Sequence, residues 1–369
     1  MDKHVCRACR GSAGHLVLDL GEQPACDYFP RCDDPGPDPL YPLQMWLCSS
    51  CGLAQLLADP TVPGEPRGTE PAALVAQAAD AVKRVTAAGW LPEQGVVAEY
   101  GSPHGGSWLG LLATRGLVPA DADQKADVIL DCFGLMHAAD QQRALAERAA
   151  RLAHGGVLLL QYHALNTIIR CRQWNALRHG HYAYYSTTAL TAMLAAVGFN
   201  PRTAWLFDLY GGTVLLAATR DGDGYGGSDV VRSLLVEDAR VGVRDPGTFS
   251  GLQRDVRAHA RTLHDWLVTE RSAGTIVLGY GAASRAVALL CQAQVDRLLL
   301  PAVIDASPTK QGLRMPGTDI PVAAPAQLAE RRPDAVLLFV PDLLAEVREA
   351  FPEVEAAGGR WVDVETLGS

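Results

Sequence analysis

The sequence predicts an α/β protein in three parts: a small cysteine-held module, a central doubly wound sheet and a smaller Rossmann-like unit. Three observations predict it. Two Cys-x-x-Cys pairs, Cys6/Cys9 and Cys48/Cys51, open the chain. Short apolar runs alternate with helical stretches from residue 71 onward, as in sheets whose strands are joined by crossover helices. The succession of strand, glycine-rich turn and helix occurs twice, at 96–114 and at 275–286.

Composition narrows the field before any motif is weighed. The chain has 369 residues, enough for two or three domains, and is 48% hydrophobic and 20% charged. Its formal net charge of -9 and the lack of a basic block argue against a nucleic-acid partner. No window is apolar for long enough to span a bilayer, and MDKHVCRACR lacks a signal-peptide core. The expectation is a cytoplasmic protein. Its nine cysteines, an odd number with no secretion signal, do not suggest a disulfide framework.

In the first part, each Cys-x-x-Cys reads as a knuckle that offers two thiolates. Together Cys6, Cys9, Cys48 and Cys51 supply a tetrahedral zinc set with no open position, hence a structural metal. Cys26 and Cys32 lack the knuckle spacing. Pro24, Pro30, Pro35, Pro37, Pro39 and Pro42 predict an irregular middle, because proline cannot donate to a ladder. TVPGEPRGTE at 61–70 reads as a linker. The boundaries expected are 1–65, 66–220 and 221–369.

In the second part, Pro71 to about Gly89 is rich in good helix formers. Val96–Tyr100 reads as a strand, Gly101–Gly106 as its turn, and Ser107 to about Thr114 as a helix. Strands follow at Ala126–Asp131 and 156–162, with a helix from about Asp140 to Leu152 between them. Thr187–Val197 reads as a helix stopped by Gly198. A later strand is expected from Tyr210 to Ala218. The stretch Gln161–Ser186, QYHALNTIIRCRQWNALRHGHYAYYS, stands at the carboxyl end of a buried strand, where open α/β sheets place ligand chemistry. It holds His163, Arg178, His179, His181, Tyr182 and Tyr185. A loop packed on its neighbours would use the same hydrogen-bonding side chains.

In the third part, Gln253–Ser272 is helical, and TIVLGYGAASRA at 275–286 repeats the strand, turn and helix. Strands at Pro301–Asp305 and Ala335–Val340 complete the smaller unit.

The knuckles, the turn at 101–106, RHGHYAYYS, YGGT at 210–213, GYGAASRA and DASPTKQGLRMPGTDIP keep one order along the chain. Together they resemble the zinc-containing sugar C-methyltransferases of deoxysugar antibiotic pathways. The resemblance implies a methyltransferase-like Rossmann domain in the centre. It implies transfer of a methyl group from S-adenosylmethionine to C3 of a dTDP-linked 4-keto-deoxysugar, after a base has removed the C3 proton. His181 matches the base, an imidazole that titrates near neutrality. The cofactor would meet Glu99, Gly101, Ser102, His104 and Gly105. The substrate would meet His163, Arg178, Tyr210, Gly281, Ser284, Arg285, Lys310 and Gln311, with its diphosphate near Ser284 and Arg285.

The chain departs from the family pattern in four places. The family's His-Glu-His is His179-Gly180-His181, and Arg178 stands where a tyrosine is usual. A Tyr-x-Tyr segment after the zinc module is absent. The 26 residues from Gly101 to Asp127 are too few for a strand, a crossover helix and another strand. A missing strand-helix unit is therefore expected, with loss of the strand whose acidic end binds the cofactor ribose. Asp121 or Asp123 would have to serve from a loop. S-adenosylmethionine is expected to bind weakly or not at all. Two other functions stay open: an epimerase or isomerase using His181 as base and His179, Tyr182 or Tyr185 as acid, and a non-catalytic nucleotide-sugar-binding partner. His179 and His181, one residue apart, are expected to share a face.

Overall fold

The structure, a computed structural model, describes residues 4–34, 36–61, 70–103, 105–220 and 227–367. After the first knuckle, β1 (Gly14–Pro24) and β2 (Leu40–Cys48) pair antiparallel, and β3 (Ala54–Leu56) adds to β2. The irregular middle is therefore confined to 25–39. Pro24 ends β1, and Pro42 sits in β2 opposite Glu22. The register slips there, between Asp19 and Glu22, and such a bulge tolerates a residue with no amide to donate. Pro35 lies outside the described residues, as does 62–69 of the expected linker.

The central unit opens with α1 (Ala72–Ala87), which buries Ala78, Ala81, Val82 and Val85, one stripe at helical spacing. Then come β4 (Gly95–Gly101), α2 (Leu109–Ala113), β5 (Leu117–Pro119), β6 (Ala126–Cys132), α3 (Gln141–Arg151) and β7 (Leu152–His163). They are followed by α4 (Leu165–Arg170), β8 (Ala183–Tyr184), α5 (Thr187–Ala196), β9 (Asn200–Phe207) and β10 (Thr213–Thr219). The sheet runs β5-β4-β6-β7-β10-β9, with β10 antiparallel to both neighbours. The two-residue β8 leaves this sheet and pairs with β3, so the first sheet runs β1-β2-β3-β8.

Two sequence expectations are corrected here. The strand after the first glycine turn is not lost: β5 runs parallel to β4 from Gly95↔Leu117 to Val97↔Pro119, and the amide of Ala120 donates to Val97 O at 2.8 Å. The short interval instead omits the unit beyond β5, which is the sheet edge, and the chain passes directly to β6 on the far side of β4. A helix of five residues and a strand of three explain how the interval accommodates both. The later strand begins at Thr213 rather than Tyr210, because Tyr210 takes a left-handed backbone (φ 57°). Strand β9 was not anticipated.

Helices α6 (Asp229–Val241) and α7 (Ser250–Ser272) lead to the last unit. It comprises β11 (Val277–Tyr280), α8 (Ser284–Gln292), β12 (Val303–Ile304), β13 (Val322–Ala323), α9 (Ala326–Arg331), β14 (Ala335–Leu338), α10 (Leu344–Ala350), α11 (Glu353–Ala356) and β15 (Arg360–Asp363). Its sheet is parallel, ordered β13-β12-β11-β14-β15. One apolar core joins Leu18 and Met45 of the first sheet, Leu263 and Leu267 of α7, and Leu289 of α8. The cysteine module and the last unit are thus packed against the same long helix. Truncating fully buried Leu263 to alanine costs about 2–5 kcal/mol. No helix among the described residues is long and apolar enough to cross a membrane.

Candidate functional site

The knuckles bring four thiols together. The Sγ atoms of Cys6, Cys9, Cys48 and Cys51 all lie within 4.8 Å of one another. Two contacts join one knuckle to the other, Cys6–Cys51 at 3.5 Å and Cys9–Cys48 at 3.6 Å. Zinc–sulfur bonds of about 2.3 Å in a tetrahedron set sulfurs about 3.8 Å apart, so the cluster fits the ion with little adjustment. The Cys51 thiol donating to Cys6 pulls Cys6 down to about 5, and the same contact pushes Cys51 up. Four crowded thiols cannot all ionise without a cation, which is what zinc supplies. Cys26 and Cys32 lie elsewhere, against His179 O and Leu313 O.

The module also holds the His/Tyr segment. Gln55 pairs with Ala183 across β3 and β8. The Asp59 carboxylate accepts from the Gly180 amide at 2.6 Å, and the Arg7 guanidinium stacks over the Tyr182 ring at 4.7 Å.

A cavity of about 260 Å³ opens at the carboxyl ends of β4, β6 and β7. Its walls include Glu99, Gly101, Ser102 and Gly105 of the first glycine turn, and His137, His163, Arg178, His181 and Tyr185. Tyr210, Ser284, Arg285 and Lys310 complete them from the side of the last unit. His104 lies outside the described residues. The first turn is built to stay open. Glu99 accepts from the Trp108 amide at 2.7 Å and from Ser107 Oγ at 2.6 Å, fixing the start of α2. Gly105 has φ 106°, with open space where a Cβ would stand. Gln77 of α1 also lines the cavity, and its buried Nε2 has no hydrogen-bond partner among the described residues. An open glycine turn, an orphaned donor and the edge strand β5 fit an adenosine-bearing cofactor.

His137 stands on a turn fixed from below. The buried Asp131 carboxylate accepts from the Leu135 amide at 2.9 Å and from Arg148 Nε at 2.5 Å. His137 Nδ1 lies 2.9 Å from the carbonyl of Gly180, and Nε2 lies 3.5 Å from Ser102 Oγ. Its ring meets that of His181 edge-on, with centroids 4.6 Å apart. His181 is bound by Arg178, whose Nε donates to Nε2 at 2.8 Å and whose Nη1 donates to Ser284 Oγ.

His179 does not share the face of His181. Gly180 between them has φ 79°, a turn instead of an extended link, and His179 is buried against Tyr41 with Nε2 toward Pro42 O at 3.3 Å. Burial pushes its imidazole down. Tyr182 is turned to Arg7 and away from the cavity, and burial raises its phenol. The Tyr185 ring reaches the cavity, but its hydroxyl donates to Gln141 Oε1, and burial raises it well above its ordinary value. Neither phenol is presented as a proton donor. His163 keeps a buried Nε2 with no hydrogen-bond partner among the described residues, and burial beside Arg285 pushes its imidazole down to about 3.

The second glycine turn differs from the expectation. Asp305, at the end of β12, accepts from the Ala282 amide at 2.8 Å and from the Ser307 amide at 2.7 Å. The protein's own carboxylate therefore takes an amide that a diphosphate would use. Gly281 is required for packing: its φ is 90°, and a Cβ there would lie 2.7 Å from Val340 Cγ2. Gln311 donates to Asp305 O at 3.0 Å, and Lys310 donates to Ala282 O at 2.9 Å, so both brace this turn, Lys310 from the cavity wall. Arg285 lies over the Tyr210 ring at 5.2 Å and 3.6 Å from Glu365. Gln77 and Gln161 are site residues that strand and turn patterns alone do not single out, whereas His137 stands with Asp140 in a His-x-x-Asp match to the family pattern.

Three family models match in succession: a zinc binding domain over 6–61, a methyltransferase domain over 73–204 and a C-methyltransferase C-terminal domain over 208–364. The chain is 24% identical to the C-methyltransferase NovU of Streptomyces niveus, over 97% of this chain and 94% of that one. Among solved structures, the magnesium protoporphyrin IX methyltransferase ChlM of Synechocystis PCC 6803 aligns with 40% of this chain and 84% of its own, at 12% identity and a TM-score of 0.30. The YcgJ protein of Bacillus subtilis aligns with 40% and 100%, at 11% identity and a TM-score of 0.27. The chain is a C-methyltransferase-like enzyme. Along the chain it carries, in this order, a zinc binding domain, a methyltransferase domain and a C-methyltransferase C-terminal domain, each matched by its own family model.

Proposed function

We propose that the protein methylates a carbon next to a ketone, on a dTDP-linked 4-keto-deoxysugar of an antibiotic pathway in the cytoplasm. The observation that carries this reading is one cavity in which an imidazole pair, His137 and His181, lies between the cofactor turn and an arginine anchored to the last unit. A ketone acidifies the neighbouring C–H. The imidazole pair accepts that proton, and the Arg178 guanidinium stabilises the negative oxygen that forms. Bound S-adenosylmethionine supplies an electrophilic methyl group. Glu99 keeps the turn in place for it, and Gln77 and Gln161 line the same wall.

In this reading residues 1–65 are the structural zinc module, 66–220 bind the cofactor and hold the imidazoles, and 221–369 hold the nucleotide. With Ala282 N already occupied, the diphosphate would be met by Ser284, Arg285 and Lys310 side chains in place of the turn amides. Methyl transfer is preferred to epimerisation or a binding role because β5 is present and neither Tyr182 nor Tyr185 offers its hydroxyl to the cavity. The test is incubation with S-adenosylmethionine and a dTDP-4-keto-6-deoxysugar, followed by mass spectrometry. A product heavier by one methyl group on the sugar carbon supports the reading. A sugar that binds and returns unmethylated defeats it.

A further inference from the structure

We propose that His137, and not His181, is the group that takes the proton from the carbon acid. The inference rests on the enolisation reading above and asks which of the two imidazoles does the work. Two hydrogen bonds decide it, because in each the partner can play only one role.

The partner of His137 Nδ1 is a backbone carbonyl, that of Gly180 at 2.9 Å. A carbonyl only accepts, so Nδ1 carries the hydrogen and Nε2 carries the lone pair. Nε2 stands on the side of Ser102, on the cofactor turn, where the reacting carbon must lie to meet a methyl donor. This is the arrangement of an oriented general base: one ring nitrogen anchored, the other basic and aimed at the reaction.

The partner of His181 Nε2 is the Nε–H of Arg178 at 2.8 Å. A guanidinium only donates and keeps its charge at all working pH values. The lone pair of Nε2 is therefore already engaged by a permanent cation, and a proton arriving there would have to displace it. His181 is a positioning residue. It holds Arg178, which Ser284 grips from the other side, where an enolate oxygen can be met.

Gly180 joins the two roles. Its left-handed backbone presents the carbonyl to His137 while its amide is held by Asp59. The chain that lacks a glutamate at this position thus orients a base with a main-chain carbonyl instead.

In the proposed step, the C3–H bond breaks and the proton passes to His137 Nε2. The electron pair moves into the C3–C4 bond, and the carbonyl π pair moves onto the C4 oxygen beside Arg178. Without a methyl donor the step reverses. In D2O the imidazolium exchanges its proton with solvent, and deuterium returns to C3.

The experiment is deuterium incorporation at C3 of a dTDP-4-keto-6-deoxysugar in D2O, followed by NMR without S-adenosylmethionine, for wild type, His137→Gln and His181→Asn. Zinc content and dTDP binding are measured for each, so that an unfolded variant is recognised. Expected is a loss of about 10²–10⁴-fold in H137Q, the usual contribution of a general base. H181N should keep measurable exchange with its pH profile unchanged, and added imidazole should restore exchange to His137→Gly. Wild-type exchange that persists in a zinc-loaded H137Q overturns the assignment and leaves the enolisation reading standing. Absence of exchange in the wild type, with the sugar bound, overturns both. Should H137Q fail to fold, the imidazole rescue of H137G and the rate in H181N decide, and either complete loss of exchange in a folded H181N or residual exchange that has lost its pH limb counts against His137.

Discussion

The Nε–H of Arg178 donates to Nε2 of His181 at 2.8 Å, and the same guanidinium reaches Ser284 at the start of α8. One side chain thus ties an imidazole of the central unit to the last unit. A preorganised donor of this kind acts on charge that develops during reaction. Replacing Arg178 by leucine should slow C3 exchange by about 10²–10³-fold, with a smaller effect on sugar affinity. Lysine should restore little, because it lacks the fork that bonds two partners at once. NMR exchange rates and calorimetry with the same sugar measure both quantities. Equal losses in rate and affinity would show that Arg178 only binds the ground state.

One zinc per chain is expected on elemental analysis. Its removal by a chelator should lower the melting temperature and abolish exchange together, because β3 pairs with β8 and Asp59 holds the Gly180 amide. Cys51→Ala should behave like the chelated protein. A metal-free protein with full activity would contradict this coupling.

His163 gives the stability an acid limb. Its imidazole is held down to about 3 by burial, against about 6.5 in an unfolded chain. Below pH 6.5 the unfolded chain gains a proton that the folded one refuses. This contribution is intact above 6.5 and is lost progressively as the pH falls toward 3, by at most about 2 kcal/mol at pH 5. Buried His179, pushed down in the same direction, adds to the limb. Urea unfolding at pH 7 and pH 5 should show a smaller difference for His163→Asn than for the wild type. An identical difference would remove His163 from the account.

Placing a glutamate at position 180 should harm this protein. Gly180 has φ 79°, and a Cβ there would lie 3.6 Å from the Asp27 carboxylate. A side chain in this region costs about 1–2 kcal/mol, and a second carboxylate near Asp27 adds repulsion. Gly180→Ala should lower stability by that amount in thermal or urea unfolding, and Gly180→Glu by more. A Gly180→Glu protein as stable as the wild type and faster in exchange would mean that the loop re-forms around the acid.

Glu99 supports the first glycine turn from behind. Glu99→Ala leaves the Trp108 amide and Ser107 hydroxyl without their acceptor. Bonds to a charged group contribute about 1.5–3 kcal/mol, so S-adenosylmethionine affinity should fall on the order of ten- to a hundredfold. Calorimetry reads this directly, and unchanged affinity would show that the turn holds itself.

Much of the architecture was legible because its signals are local. The Cys-x-x-Cys spacing, the apolar run at 156–162 and the helix formers after Pro71 each act within a few residues. Strand β5 was missed because three residues carry too little periodicity, and pairing with β4 sets their conformation. The site was legible as a neighbourhood and less so as a geometry. His163, His181 and Tyr185 line one cavity, and their density in one segment is a local signal that points to it. That His179 faces away depends on a left-handed glycine whose amide is held by Asp59, more than a hundred residues earlier in the chain. The glycine pattern at 279–281 suggested a phosphate cradle, yet Asp305 fills part of it, and only a tertiary contact discloses that.

The pairing of Gln55 with Ala183 also bears on the order in which the chain can be completed. The cysteine module is synthesised before residues 183–184, which supply the outermost strand of its sheet. Until Tyr184 has left the ribosome, β3 presents an unpaired edge, the feature that invites association with foreign strands. A nascent chain stopped before that point holds its metal knuckles and an open sheet, and contacts so distant in sequence form late. A sheet begun early in synthesis is thus closed only by a strand made much later.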